Sequence, residues 1–163
     1  MSSDQPQPRT MTIDVAEMNR RLLTLAESPR ARFWRVEFDA LSVPESVFGA
    51  VWELEAEVNN GGFHQYLFNS SGKLARFALS ALRAVGAAQT ASILELAISV
   101  IGADVQWSDD AARQERLVAL PDEAVEELKD LDHAFFGYPD NLTALLYNYV
   151  CAHRAQFRVS REF

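Results

Sequence analysis

The sequence predicts an all-α fold: a single compact multi-helix domain of about seven to nine helices, one of them buried at the centre. Three observations carry this. Apolar residues recur at spacings of three and four along almost the whole chain, no alternating strand pattern holds, and Gly, Pro, Ser and Asp fall where helices of ordinary length start and stop. A length of 163 residues suits one domain with a continuous core, and no linker or internal repeat divides it.

Residues 1–10 are polar and Pro-containing and read as a disordered tail, leaving 11–163 as the helical domain. The first helix is expected over 11–27, with Val15, Met18, Leu22 and Leu25 on one side, and a shorter helical piece over 30–41, carrying Phe33, Trp34 and Phe38. Pro44 suits the first turn of a third helix, where its missing N–H costs nothing. That helix runs to Asn60 on the stripe Val47, Val51, Leu54, Val58. Gly61-Gly62 then ends it, one of the two at positive φ. A short aromatic helix over 63–69 stops at Ser70-Ser71-Gly72, and an amphipathic helix over 73–85 is capped by Gly86. The segment 87–101 is apolar nearly all round and is expected to be the central buried helix. Ser108 can cap a helix starting at Asp109-Asp110, Pro121 opens another, and Asp140 can cap the last, over 141–157.

Formal net charge is −8, from 23 acids against 15 bases. Direct binding to nucleic acid needs a positive face that displaces counterions, so this balance argues against it. Cys151 is the single cysteine, which excludes an internal disulfide and suits a reducing compartment. The start of the chain has no apolar signal-peptide core, and the longest apolar stretch, 92–105, is interrupted by Glu95. A cytoplasmic protein without membrane association is expected.

The charge is concentrated. Ten acids and three bases lie within 104–132, which leaves 13 acids and 12 bases for the remainder. On a helix, Asp122, Glu123, Glu126, Glu127 and Asp130 share one side, and Val125, Leu128, Leu131 and Phe135 the other. These five acids span roughly 12 Å of axis, about one charge per 2.4 Å. Duplex DNA carries about one per 1.7 Å. With Asp109, Asp110 and Glu115 on the preceding helix, they form the candidate partner-binding set. The plain alternative is a solvated face, whose first-turn acids Asp122 and Glu123 the helix dipole favours. Against it, Glu126 and Glu127 sit beside Asp130 with only Lys129 to relieve them.

A second feature is Asn59-Asn60-Gly61-Gly62-Phe63, followed by Gln65, Phe68 and Asn69. This segment resembles a bacterial family of small helical proteins named for a DNA mimic protein and otherwise classed as a domain of unknown function. Tyr147-Asn148-Tyr149 and the helix after the motif are similar more loosely, so the resemblance is strong over the middle third and weaker over 40–157. It implies an all-helical domain, with at least one member that arranges surface carboxylates like DNA phosphates and occupies a helix-turn-helix regulator. The motif itself reads first as architecture: two glycines permit a sharp reversal, and amides satisfy exposed backbone groups. Its functional alternative is a polar pocket made from Asn59, Asn60, Gln65 and Asn69.

Catalytic and metal chemistry find no support. His64 has no matched nucleophile, the three histidines lack ligand spacing with one another or with Cys151, and no phosphate-cradling loop occurs. Neither a catalytic residue, a metal site nor a cofactor is expected. Glu55 falls on an apolar side near Phe48, Val51 and Trp52, where a carboxylate needs donors or protonates. His153 is similarly placed among Leu142, Leu146, Tyr149 and Val150, so a Glu55–His153 contact is open. Three readings follow: an acidic protein that binds a basic DNA-binding partner; an immunity-type or housekeeping interaction protein whose acidity serves solubility; or a small-ligand binder or enzyme built on the Asn59–Asn69 amides. A monomer or weak dimer fits each.

Overall fold

Ser42 starts the longest helix through a reciprocal cap. Its hydroxyl accepts the Glu45 N–H, and the Glu45 carboxylate accepts the Ser42 N–H at 2.8 Å. Pro44 occupies the first turn, as expected. The computed structural model describes residues 13–28, 31–33, 36–157 and 163. Among them run α1 (Val15–Glu27), α2 (Val43–Phe68), α3 (Ala75–Val85), α4 (Ala88–Ile101), α5 (Asp110–Val118), α6 (Asp122–Phe136), α7 (Leu142–Ala152) and α8 (Arg154–Phe157). Two 3-10 turns, Phe38–Ala40 and Ser70–Leu74, complete the described elements, and none of these is a strand. The tail expected over 1–10 lies outside the described residues.

Packing centres on α2. It touches α3, α5, α6, α7 and α8, while α4 packs on α3 and α6, and α1 on α7. Phe48, Val51, Leu54, Val58, Phe63 and Leu67 of α2 are wholly buried, so the central helix is α2. The segment expected in that place, now α4, buries only one side, and Leu96 remains 52% exposed. Its alanines raise apolar content without demanding cover on every face, which is how composition misplaces the centre.

Three local expectations change. The helix predicted over 30–41 is reduced, among described residues, to the Phe38–Ala40 turn. Phe33 packs on Phe48 and Phe157 while Phe38 packs edge-on against Phe77. Five residues apart, two rings on one helix would point about 140° away from each other. The break predicted at Gly61-Gly62 is present: both residues leave helical geometry there, and the third and fourth predicted helices are the two limbs of α2 on either side of it. Asp109, and not Ser108, caps α5 by accepting the Ala112 N–H at 3.1 Å. Asn141 caps α7, which frees Asp140 to accept both the amide and hydroxyl of Thr90 and so cap α4 across the fold. No helix of the described residues is long and apolar enough to cross a membrane.

Candidate partner-binding surface

Two ties, one half-buried and one buried, place α6 and α5 against the bend and end of α2. At the bend, Gly62 has φ 72° and ψ −177°, a conformation open in practice to glycine alone. The reversal exposes the N–H of Phe63, which donates to Asp132 Oδ1 of α6 at 2.7 Å. A Cβ on Gly62 would lie 2.3 Å from Asp132 Oδ2, so hydrogen on that carbon is what admits the carboxylate.

At the end of α2, Arg113 of α5 is fully buried and takes up the carbonyls that the helix leaves open. Its Nε donates to Leu67 O at 2.6 Å, Nη2 to Asn69 O at 2.8 Å, and Nη1 to Trp107 O at 2.7 Å. Asp110 balances its charge at 2.8 Å, and Gln114 takes the Phe68 carbonyl. Gly72 is part of this tie: a Cβ there would sit 2.4 Å from Leu67 O and 2.7 Å from Arg113 Nε.

The motif amides are engaged inside the protein. Gln65 and Asn69 both donate to Glu57 Oε2, at 2.7 and 2.9 Å, and Asn59 donates to the Tyr138 hydroxyl at 2.7 Å. Asn60 is exposed, and His64 stacks on Phe68. Among the described residues, no group of three or more His, Cys, Asp or Glu side chains is placed to hold a metal ion.

The ten acids of 104–132 divide by role. Asp132 is half-buried at the bend, Asp110 pairs with Arg113, Asp109 caps α5, and Asp104 pairs with Arg116 at 2.7 Å. The Arg116 guanidinium holds the Asp104 carboxyl below its usual pKa. On α6, Asp122, Glu123, Glu126, Glu127 and Asp130 are all exposed, while Leu128, Leu131 and Phe135 are buried. Lys129 pairs with Glu126 at 2.5 Å. Glu115, Asp122, Glu123, Glu127 and Asp130 have no ion pair among the described residues. The structure therefore brings five of the eight candidate acids together on one helix face, and leaves Glu115 on α5 as the exposed acid with no local task.

A family model described as DMP19-like protein matches residues 39–153. That is well over half of the chain. The chain belongs to the DMP19-like protein family. The match runs from the first 3-10 turn to the end of α7 and includes the bend, both ties and the acidic helices. It meets the expectation raised by the Asn59–Asn69 motif. No curated protein and no solved structure matches the chain. Within this DMP19-like fold, two residues escaped the sequence reading, Arg113 and Asp132. Each left a signal: Arg113 stands one turn before buried Leu117, and Asp132 one turn after buried Leu128. A charge on a buried stripe is the mark of an internal tie.

The same signal at Glu55 was legible. Its carboxylate accepts the Tyr138 hydroxyl at 3.0 Å, joining α2 to the turn after α6, where Tyr138 adopts φ 45°. His153 instead ends α7, with Nδ1 2.9 Å from the Tyr149 carbonyl. Burial pushes the pKa of Glu53, Glu55 and Asp132 upward, with Glu57 adding to the effect at Glu53. A carboxyl whose pKa rises on folding stabilises the fold most at low pH and loses that contribution as pH climbs through the raised value. Melting temperature is thus expected to be higher at about pH 5 than at about pH 8, at fixed ionic strength. Glu55→Gln should narrow the gap; an equal gap in that variant would assign the pH dependence elsewhere.

Proposed function

We propose that this is a binding protein whose α6 carboxylates, together with those of α5, stand in for DNA phosphates and occupy the DNA-binding surface of a basic regulator or other nucleic-acid-binding protein. One observation carries the reading: five exposed carboxylates follow one face of a buried-backed helix with one lysine among them. Spaced at about one per 2.4 Å, they offer a basic groove a charge density near that of a duplex. Membership of the DMP19-like family supports it. The activity is binding and not catalysis, and a cytoplasmic partner is the natural one.

Changing Glu123, Glu126, Glu127 and Asp130 to glutamine tests it. These side chains face solvent, so folding should be unchanged, with slight stabilisation from relieved repulsion. Capture from native lysate at low salt, followed by mass spectrometry, should retrieve a DNA-binding protein. Its affinity for the variant should fall at least about tenfold and lose much of its salt dependence, because fewer charge pairs form across the interface. DNA should compete with the parent protein for the same partner. Equal binding of variant and parent, or a partner that holds DNA and this protein together, would reject the reading and leave solubility as the explanation of these acids.

A further inference from the structure

The end of α6 runs into α7 through Phe136-Gly137-Tyr138-Pro139, four consecutive exposed residues. Phe136 and Tyr138 remain 45% and 43% exposed, and both rings lie against buried Phe135, at centroid distances of 6.5 and 6.0 Å. The turn that carries them is tied to two other helices. Asn59 of α2 donates to the Tyr138 hydroxyl at 2.7 Å, and that hydroxyl donates to Glu55 Oε1 at 3.0 Å. Gln89 of α4 donates to Pro139 O at 3.0 Å, and Asp140 accepts the Thr90 amide at 2.7 Å. Tyr138 keeps φ 45°, a left-handed backbone that tyrosine rarely adopts. α2 and α4 thus hold a strained turn whose two rings stay open to water. Rings fixed in advance lose little freedom on contact, which is what makes aromatic side chains strong anchors at interfaces.

The charge around the turn selects its occupant. Glu55 and Asp140 put carboxylates in its frame, and Glu126, Glu127, Asp130 and Asp132 precede Phe136 within about three turns of α6. The basic residues of α6 are Lys129, paired with Glu126, and His133. An apolar partner surface would strip water from these carboxylates without pairing them, and an anionic one would be repelled. A cation suits both the carboxylates and the rings, whose faces are negative. The Tyr138 phenol donates to a carboxylate, which pushes electron density into its ring and favours a cation further. Arginine fits better than lysine, because a planar, weakly hydrated guanidinium can stack on a ring while its edge pairs with a carboxylate.

We propose that the turn after α6 is an arginine-binding anchor: Phe136 and Tyr138 take guanidinium groups of a basic partner on their exposed rings, while the α6 acids pair with its other cations. That the partner is a DNA-binding protein rests on the reading above; the preference of the turn for arginine does not. The two parts of the surface divide the work. Carboxylates steer the approach and are screened by salt, whereas ring contacts add affinity that salt weakens less.

Hexa-arginine and hexa-lysine peptides, titrated into the isotope-labelled full chain at one salt concentration, test the assignment. Hexa-arginine should bind at least about threefold more tightly than hexa-lysine, the ratio expected of one exposed cation–π contact. It should also shift the amide resonances of 136–139 and the ring resonances of Phe136 and Tyr138, a readout in the parent that stands even where a variant folds poorly. Phe136→Ala should bring the two peptides close to parity. Glutamine at Glu123, Glu126, Glu127 and Asp130 should weaken both peptides and keep the preference for arginine. Equal binding of the two peptides by the parent, or the absence of shifts at 136–139, overturns the proposal. So does an arginine preference that persists in Phe136→Ala, since carboxylates alone would then account for it. Failure of DNA to compete for a captured partner, with the arginine preference intact, would sink the mimicry and leave the anchor standing.

Discussion

Arg113→Ala is expected to destabilise the protein by about 4 kcal/mol, among the larger effects a single substitution produces. The carbonyls of Leu67, Asn69 and Trp107 each take a hydrogen bond from this one guanidinium. Alanine removes this donor from the buried Leu67 and Trp107 carbonyls, at about 1–3 kcal/mol for each that water cannot reach, while the Asn69 carbonyl keeps the Gly72 N–H at 3.0 Å. It also leaves a cavity where a fully buried side chain had been. For a chain of this length a loss of that size corresponds to a fall of roughly 8–16 °C in melting temperature. Arg113→Lys should recover little of it, since a single ammonium cannot reproduce a planar fork aimed at three acceptors. Thermal and urea melts of both variants are the measurement. A shift below about 3 °C for alanine would show that water or a rearranged chain end satisfies these carbonyls as well as the arginine does.

Gly62→Val should be nearly as costly, at about 3–5 kcal/mol. A β-branched residue resists φ 72° with ψ −177° at every rotamer, and its Cβ would displace the Asp132 carboxylate that accepts the Phe63 amide. Backbone strain and a lost charged hydrogen bond then add at one point. Asp132→Asn separates the two terms, because it keeps an acceptor and removes only the charge; its loss should be smaller than that of valine at 62. The folded fraction of Gly62→Val should keep its partner binding. Normal melting combined with lost binding would instead make the motif a functional site.

Much of the fold was readable because helical periodicity and glycine punctuation are local signals. The bend at Gly61-Gly62 and the outward acids of α6 follow from neighbours within four residues. What escaped was decided between distant segments. Phe33 and Phe38 look helical in sequence, yet their partners lie in α2, α8 and α3, and the chain between them follows those partners. Asp140 stands where a cap for α7 belongs, but it serves α4, 50 residues earlier. Arg113 looked like one of three bases diluting an acidic stretch. Only its position on a buried stripe marked it otherwise, and its three carbonyl partners are fixed by tertiary packing that no local pattern encodes.

The second limb of α2, residues 63–68, is too short to persist by itself. It is held at one end by Asp132 from α6 and at the other by Arg113 and Gln114 from α5. This little rod therefore acts as a gauge block, setting how far apart the two acid-bearing helices stand. The residues that set the distance point inward, and those whose charge faces water on α6 have no part in it. A designer can rewrite the signs along α6 while the separation stays fixed, so one backbone can display a negative, neutral or positive track. The chain is in that sense a calibrated mount, and the pattern of charge is a removable face.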